Sequence, residues 1–159
     1  MAVRNVLQED DSTLRKKSKL VKDFDEDLWQ LLSDMKKTMH VNNGMGLAAV
    51  QVGVLRRVVV IECNGMFVEL INPEIIHAEG EVEDTEGCLS VGKGKFHAVV
   101  KRPYKVTVKA FDRRGFPFEL TVEEYFARCV CHELDHLDGI LFTDKCNNKE
   151  DFVKFKRGE

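Results

Sequence analysis

The sequence predicts an α+β fold: a helix, several antiparallel strands, then a second helix carrying His132 and His136. Three observations predict it. An amphipathic helical pattern comes early, alternating apolar segments separated by turn signals fill the middle, and a second helical pattern follows them. The 159 residues suit one domain over 1–159 with a sizeable core, and 43% hydrophobic with 32% charged residues is ordinary for a soluble globular chain. From about residue 146 the chain reads as a short charged tail.

The elements follow in order. Asp23 or Asp25 can cap a first helix whose Leu28, Leu31, Leu32, Met35 and Met39 share one face, and "NNG" (Asn42 to Gly44) is a fitting stop. "GMGLAAVQVG" reads as a Gly-rich loop running into an extended segment. "RRVVVIEC" (Arg56 to Cys63) reads as a buried strand. Asn64-Gly65 is a strong hairpin signal, and "MFVELINP" returns as the partner strand. After Pro73, "EIIHAEGEVED" suits a short extended pair broken at Gly80. "VGKGKFHA" (Val91 to Ala98) reads as a mobile loop. "YKVTVKAFD" places Val106, Val108 and Ala110 on one face, "DRRG" turns the chain, and "FPFEL" pairs back. Thr121 and Glu124 form a T-x-x-E capping box for a helix running to about Leu137, with Gly139 as its stop.

Charge and cysteine usage exclude several classes. A net charge of −3 leaves no basic footprint for nucleic acid, and the C-terminal lysines are interleaved with Glu150 and Asp151. "MAVRNVLQEDD" lacks the apolar core of a secretory signal, and no apolar run approaches the ~20 residues that span a bilayer. Five cysteines, an odd number, favour reduced thiols over a disulfide framework. These features point to the cytoplasm, with no membrane and no specific nucleic-acid partner.

The chemistry concentrates in "CVCHELDHLDG", residues 129–139. On a helix, positions i and i+4 lie about 40° apart around the axis, so His132 and His136 can offer two imidazoles to one metal ion. Glu133 sits about 100° from His132, near enough to touch a metal-bound water without ligating. This H-E-x-x-H arrangement suits a hydrolase: the metal lowers the pKa of its water, and the glutamate takes the proton. Five residues with three fixed positions also arise by chance, so a third ligand has to be found. No downstream glutamate lies in a plausible second helix, and position 142 is Phe where a third histidine would stand. Among the cysteines, Cys129 and Cys131 suit helix packing, Cys146 lies in the tail and Cys63 near the hairpin. Cys88, in "EGCLS" beside Gly87, is the best candidate.

Three segments, "GMGLAAVQ" (Gly44 to Gln51), "EGCLS" (Glu86 to Ser90) and "HELDH" (His132 to His136), resemble in order and spacing the three signature motifs of peptide deformylases. The similarity runs from about residue 5 to residue 145. It implies that Cys88, His132 and His136 bind one divalent ion, Fe²⁺ in the cell with Zn²⁺, Ni²⁺ or Co²⁺ as replacements. It also implies a hydrolase that removes the N-formyl group from the N-terminal methionine of new polypeptides, releasing formate, with transient ribosome contact. Glu133 would be general base and then acid. Gln51 and the Leu89 N–H would hold the oxyanion, and Gly46 would contact the substrate through its backbone. The resemblance further implies that Glu86 pairs with Arg102 to hold the ligand loop; Asp135, on the metal helix itself, suits either a supporting partner behind the ligands or a solvent-facing residue. Met45, Tyr125 and Cys129 are candidates for the methionine pocket, and His97 for substrate contact.

The chain departs from the family pattern at Val50 and Gly92, where prolines are usual, and at Cys131, often glutamine. The loop after "EGCLS" is about two residues longer than in common bacterial members, and the terminal helix of many members reads as truncated or absent. Two other readings stand beside the deformylase: a relative acting on a different N-acyl group, and a non-catalytic metal-binding protein. The second needs neither Glu133 nor Gln51. A C-x-C redox pair is set aside, because mid-helix spacing turns the sulfurs of Cys129 and Cys131 about 200° apart.

Overall fold

The computed structural model describes residues 2–159. Helix α1 spans Glu26–Val41, and the Asp25 carboxylate accepts from the Leu28 amide at its N-terminus. Seven strands follow: β1 (Gly46–Ala48), β2 (Val58–Cys63), β3 (Met66–Glu79), β4 (Val82–Gly87), β5 (His97–Arg102), β6 (Lys105–Phe111) and β7 (Pro117–Glu123). Helix α2 spans Glu124–Leu137 and α3 spans Glu150–Lys156. Five strands form one antiparallel sheet in the order β1-β2-β3-β6-β7, and β4 and β5 pair separately.

The continuous apolar run of β2 has a physical reason: it is buried on both faces. Val58 and Val60 face α1, packing with Leu28, Leu32, Met35 and Met39. Val59 and Ile61 face the opposite side, in one cluster with Val130 and Leu134 of α2. Each such side chain withdraws enough apolar area to contribute roughly 1.5–3 kcal/mol. The sheet therefore lies between α1 and α2, and α2 is held in the middle of the molecule.

Several expectations are corrected. Thr121 lies in β7, and its hydroxyl meets Thr107 across the sheet at 2.8 Å, so it caps nothing. The Glu124 amide bonds to the Tyr104 carbonyl at 2.8 Å, and α2 begins without a side-chain cap. Pro73 does not end its strand. β3 runs on for 14 residues across a register shift at Asn72–Pro73, where Asn72 takes φ +52°. The break at Gly80 stands, but β4 pairs with β5 rather than with the end of β3. The segment read as a loose charged tail contains α3, because Phe152 and Phe155 share a face that packs on the core.

Gly139 ends α2 at φ +75°, and a Cβ there would lie 2.4 Å from the Arg15 carbonyl oxygen. Both the backbone conformation and the contact forbid a side chain. Gly139→Ala is expected to cost about 2 kcal/mol or more, read as a lower urea midpoint with an unchanged slope.

Candidate metal centre

Helix α2 brings His132 and His136 to one face, with ring centroids 5.0 Å apart. Opposite them, β4 ends at Gly87 and the chain turns inward at Cys88. One ligand atom from each of Cys88, His132 and His136 lies within 4.8 Å of the others, and all three residues are buried. Cys88 Sγ is 3.4 Å from His136 Nε2. Three soft or borderline donors converging at this separation suit one divalent transition-metal ion.

The surroundings fit such an ion. His132 Nδ1 donates to Glu86 Oε1 at 2.9 Å, which leaves Nε2 free for the cluster and sets the ring's orientation. Glu133 Oε1 and His136 Nδ1 are buried without a protein hydrogen-bond partner, an expensive arrangement that functional sites retain. Burial pushes the Glu133 carboxyl up to about 7. Its other oxygen lies against Gly46, where a Cβ would come within 2.6 Å of Oε2. Gly46 thus makes room for Glu133, a role the sequence did not suggest.

Gln51, 1% exposed, is fixed at both ends of its carboxamide. Oε1 accepts from the Ala48 amide at 2.9 Å, and Nε2 donates to Ser90 Oγ at 3.0 Å. Nε2 also faces Cys88 Sγ at 3.6 Å, so one N–H remains directed at the ligand cluster. Leu89 follows Cys88, and its carbonyl accepts from Gln8 Nε2 at 3.0 Å.

Glu86 is the hub behind the ligands. Oε1 accepts from His132 Nδ1 and Arg102 Nη2, and Oε2 from Arg102 Nε and Arg128 Nη1, all within 2.9 Å. All four lone-pair directions are filled. Burial alone would raise this carboxyl; the bonds from Arg102 and His132 outweigh it and hold the group well below the usual carboxylate range. Arg102 Nη1 continues to Asp135 Oδ2 at 2.7 Å, which also pairs with Lys145 at 2.9 Å. Arg128 escaped the sequence reading. Its signal was a lone arginine one turn before His132 among apolar neighbours, on the helix face that turns inward.

The remaining candidates sort cleanly. Met45, Tyr125 and Cys129 line a cavity of about 230 Å³ together with Cys88, His132, Glu133 and Gln51. His97 is exposed at the rim of the same cavity, and a Cβ on Gly87 would lie 2.8 Å from its ring. Cys131 faces a different cavity, and burial pushes its thiol up to about 11. Burial raises the Cys129 thiol as well, so neither is poised for redox chemistry.

A model of the polypeptide deformylase family matches residues 3–152. The chain belongs to this family. A peptide deformylase from Caldicellulosiruptor bescii is 57% identical over 145 residues, covering 91% of this chain and 86% of that relative. One from Acetivibrio thermocellus is 52% identical over 145 residues, covering 91% and 84%. The crystal structure of a peptide deformylase from Legionella pneumophila superposes with a TM-score of 0.90 at 44% identity, covering 98% of this chain and 96% of that one. A deformylase structure from Synechococcus elongatus in complex with actinonin gives 0.91 at 35% identity, covering 98% and 86%. The α+β deformylase fold is thereby established.

Proposed function

We propose that this chain removes the N-formyl group from the N-terminal methionine of new polypeptides, with Cys88, His132 and His136 as ligands of one divalent ion. The observation that carries the reading is a buried, unpartnered Glu133 oxygen beside a converged Cys-His₂ donor set. A purely structural metal site would need neither that carboxylate nor the fixed Gln51 amide. Membership of the family implies Fe²⁺ in the cell, and the donor set equally suits Zn²⁺, Ni²⁺ and Co²⁺ as replacements. Held by Cys88, His132 and His136, the ion would supply Lewis acidity and lower the pKa of a water molecule.

The chain's own groups do the rest. Glu133 takes the proton of the attacking water at Oε1 and passes it to the leaving amine nitrogen. Gln51 Nε2 and the Leu89 N–H donate to the oxygen on which negative charge develops, and Gly46 keeps space open at Glu133. The cavity lined by Met45, Tyr125 and Cys129 receives the methionine side chain. Gln51→Ala is expected to lower kcat by about 10²–10³-fold with a smaller change in KM, measured as initial rates of formate release.

The same substrate implies work in the cytoplasm and transient contact with the ribosome. All five cysteines are free, and no helix among the described residues is long and apolar enough to cross a membrane. Chelation tests the metal requirement. Formate release should vanish when the ion is removed and return with one equivalent of Fe²⁺ or Co²⁺ per chain; undiminished activity in the metal-free protein would refute it.

A further inference from the structure

The loop from Leu89 to Phe96, which follows the ligand Cys88 and carries the Leu89 amide, is gripped from outside the site. Gly92 takes φ +56°, and a Cβ there would lie 2.5 Å from the Phe155 ring of α3. Phe96, at the loop's end, is 5% exposed and packs on Phe152 and Phe155 with ring centroids 4.9 and 5.3 Å apart. On its inner side Phe96 stacks with Phe142 at 6.1 Å, and Phe142 stacks on His132 at 5.9 Å. Two rings therefore separate the C-terminal helix from a proposed metal ligand.

The N-terminal segment grips the loop's other edge. Gln8 Nε2 donates to the Leu89 carbonyl at 3.0 Å, and Gln8 Oε1 accepts from the Lys93 amide at 2.9 Å. Glu9 Oε2 accepts from the Gly92 amide at 3.2 Å, and Glu9 Oε1 lies 3.8 Å from Lys156 Nζ of α3. Glu9 thus ties the loop to the helix. The loop has little rigidity of its own: Gly92, Lys93 and Gly94 all take positive φ. Nor is α3 self-sustaining, since seven residues are too few for a stable isolated helix. Each is ordered by the other.

We propose that α3, through Phe155 and Phe152, is a positioning element for the site: its docking on Gly92 and Phe96 holds the Leu89 loop in register with Cys88 and His132. None of its side chains touches the substrate cavity. Its effect should fall on kcat, because a misplaced Leu89 amide weakens the transition state more than it weakens peptide binding.

The test compares the Co²⁺-loaded full-length protein with Phe155→Ala, Phe155→Leu and a chain ending at Asn148. Two readouts are taken: amide hydrogen exchange over residues 89–96, and formate release per metal-loaded molecule. In Phe155→Ala and the shortened chain, exchange in the loop should rise while α1 stays protected. The same two variants should lose about tenfold in kcat with KM changed by less than about twofold. Phe155→Leu, which keeps apolar bulk on Gly92, should recover most of both. Unaltered loop exchange, or an unaltered rate per loaded molecule, would overturn the proposal. The kinetic arm rests on the deformylase reading. If the unmodified protein released no formate, that reading would fail by itself and hydrogen exchange would decide the role of α3.

Discussion

Glu133→Ala is expected to lower kcat by on the order of 10³-fold while the protein still binds one metal ion per chain. The reasoning is geometric. Glu133 sits next to His132 on α2, is 5% exposed, and leaves Oε1 without a partner in the ligand cavity. Nothing else lining that cavity combines this placement with an unused basic oxygen: Glu86 has all four acceptor directions filled, and His97 lies exposed at the rim. A 10³-fold loss corresponds to about 4 kcal/mol of barrier, within reach of removing one positioned base. Metal content measured alongside the rate separates loss of the base from loss of the ion. A variant that kept both its metal and its rate would remove Glu133 from the mechanism.

Glu86→Gln should produce the largest loss of stability. The carboxylate is 2% exposed, and it neutralises Arg102 and Arg128, whose side chains are 3% and 4% exposed. Removing its charge leaves Arg102 with only Asp135 and Arg128 with only the Val100 and Val82 carbonyls, so the variant should lose about 3–5 kcal/mol. For a chain of this size that corresponds to a fall in Tm on the order of 10 °C. The same change weakens the acceptor that orients His132, so metal affinity should fall by roughly 10–100-fold. Calorimetry with and without added metal reads both effects. A Tm within about 2 °C of the parent would show that the arginines find other partners.

Most of this architecture was legible because its signals are local. The α1 face, the Asn64-Gly65 hairpin and the alternation of Val106, Val108 and Ala110 each depend on neighbours within a few residues. The convergence of Cys88, His132 and His136 was legible because the two histidines share a helix and Cys88 sits in a recognisable motif. What escaped depends on contacts between distant segments. Thr121 could not be read as a strand residue without knowing that Thr107 lies opposite, since T-x-x-E is an equally good helix start on its own. Arg128 looked like any helical arginine until β4 placed Glu86 in front of it, 42 residues away in sequence. The charged terminal segment read as solvated because its two phenylalanines have meaning only beside Phe96 and Gly92.

The most direct measurement is formate release from a short N-formyl-methionyl peptide by anaerobically prepared, Fe²⁺-loaded protein, run beside the N-acetyl-methionyl peptide. The account predicts fast cleavage of the formyl peptide and little or none of the acetyl peptide, whose extra methyl group would have to enter the cavity beside Glu133, Gln51, Cys88 and His132. Full metal occupancy with no formate released, or acetyl cleavage at a comparable rate, would contradict it. The first result would favour a non-catalytic metal protein, and the second an acylase of broader range.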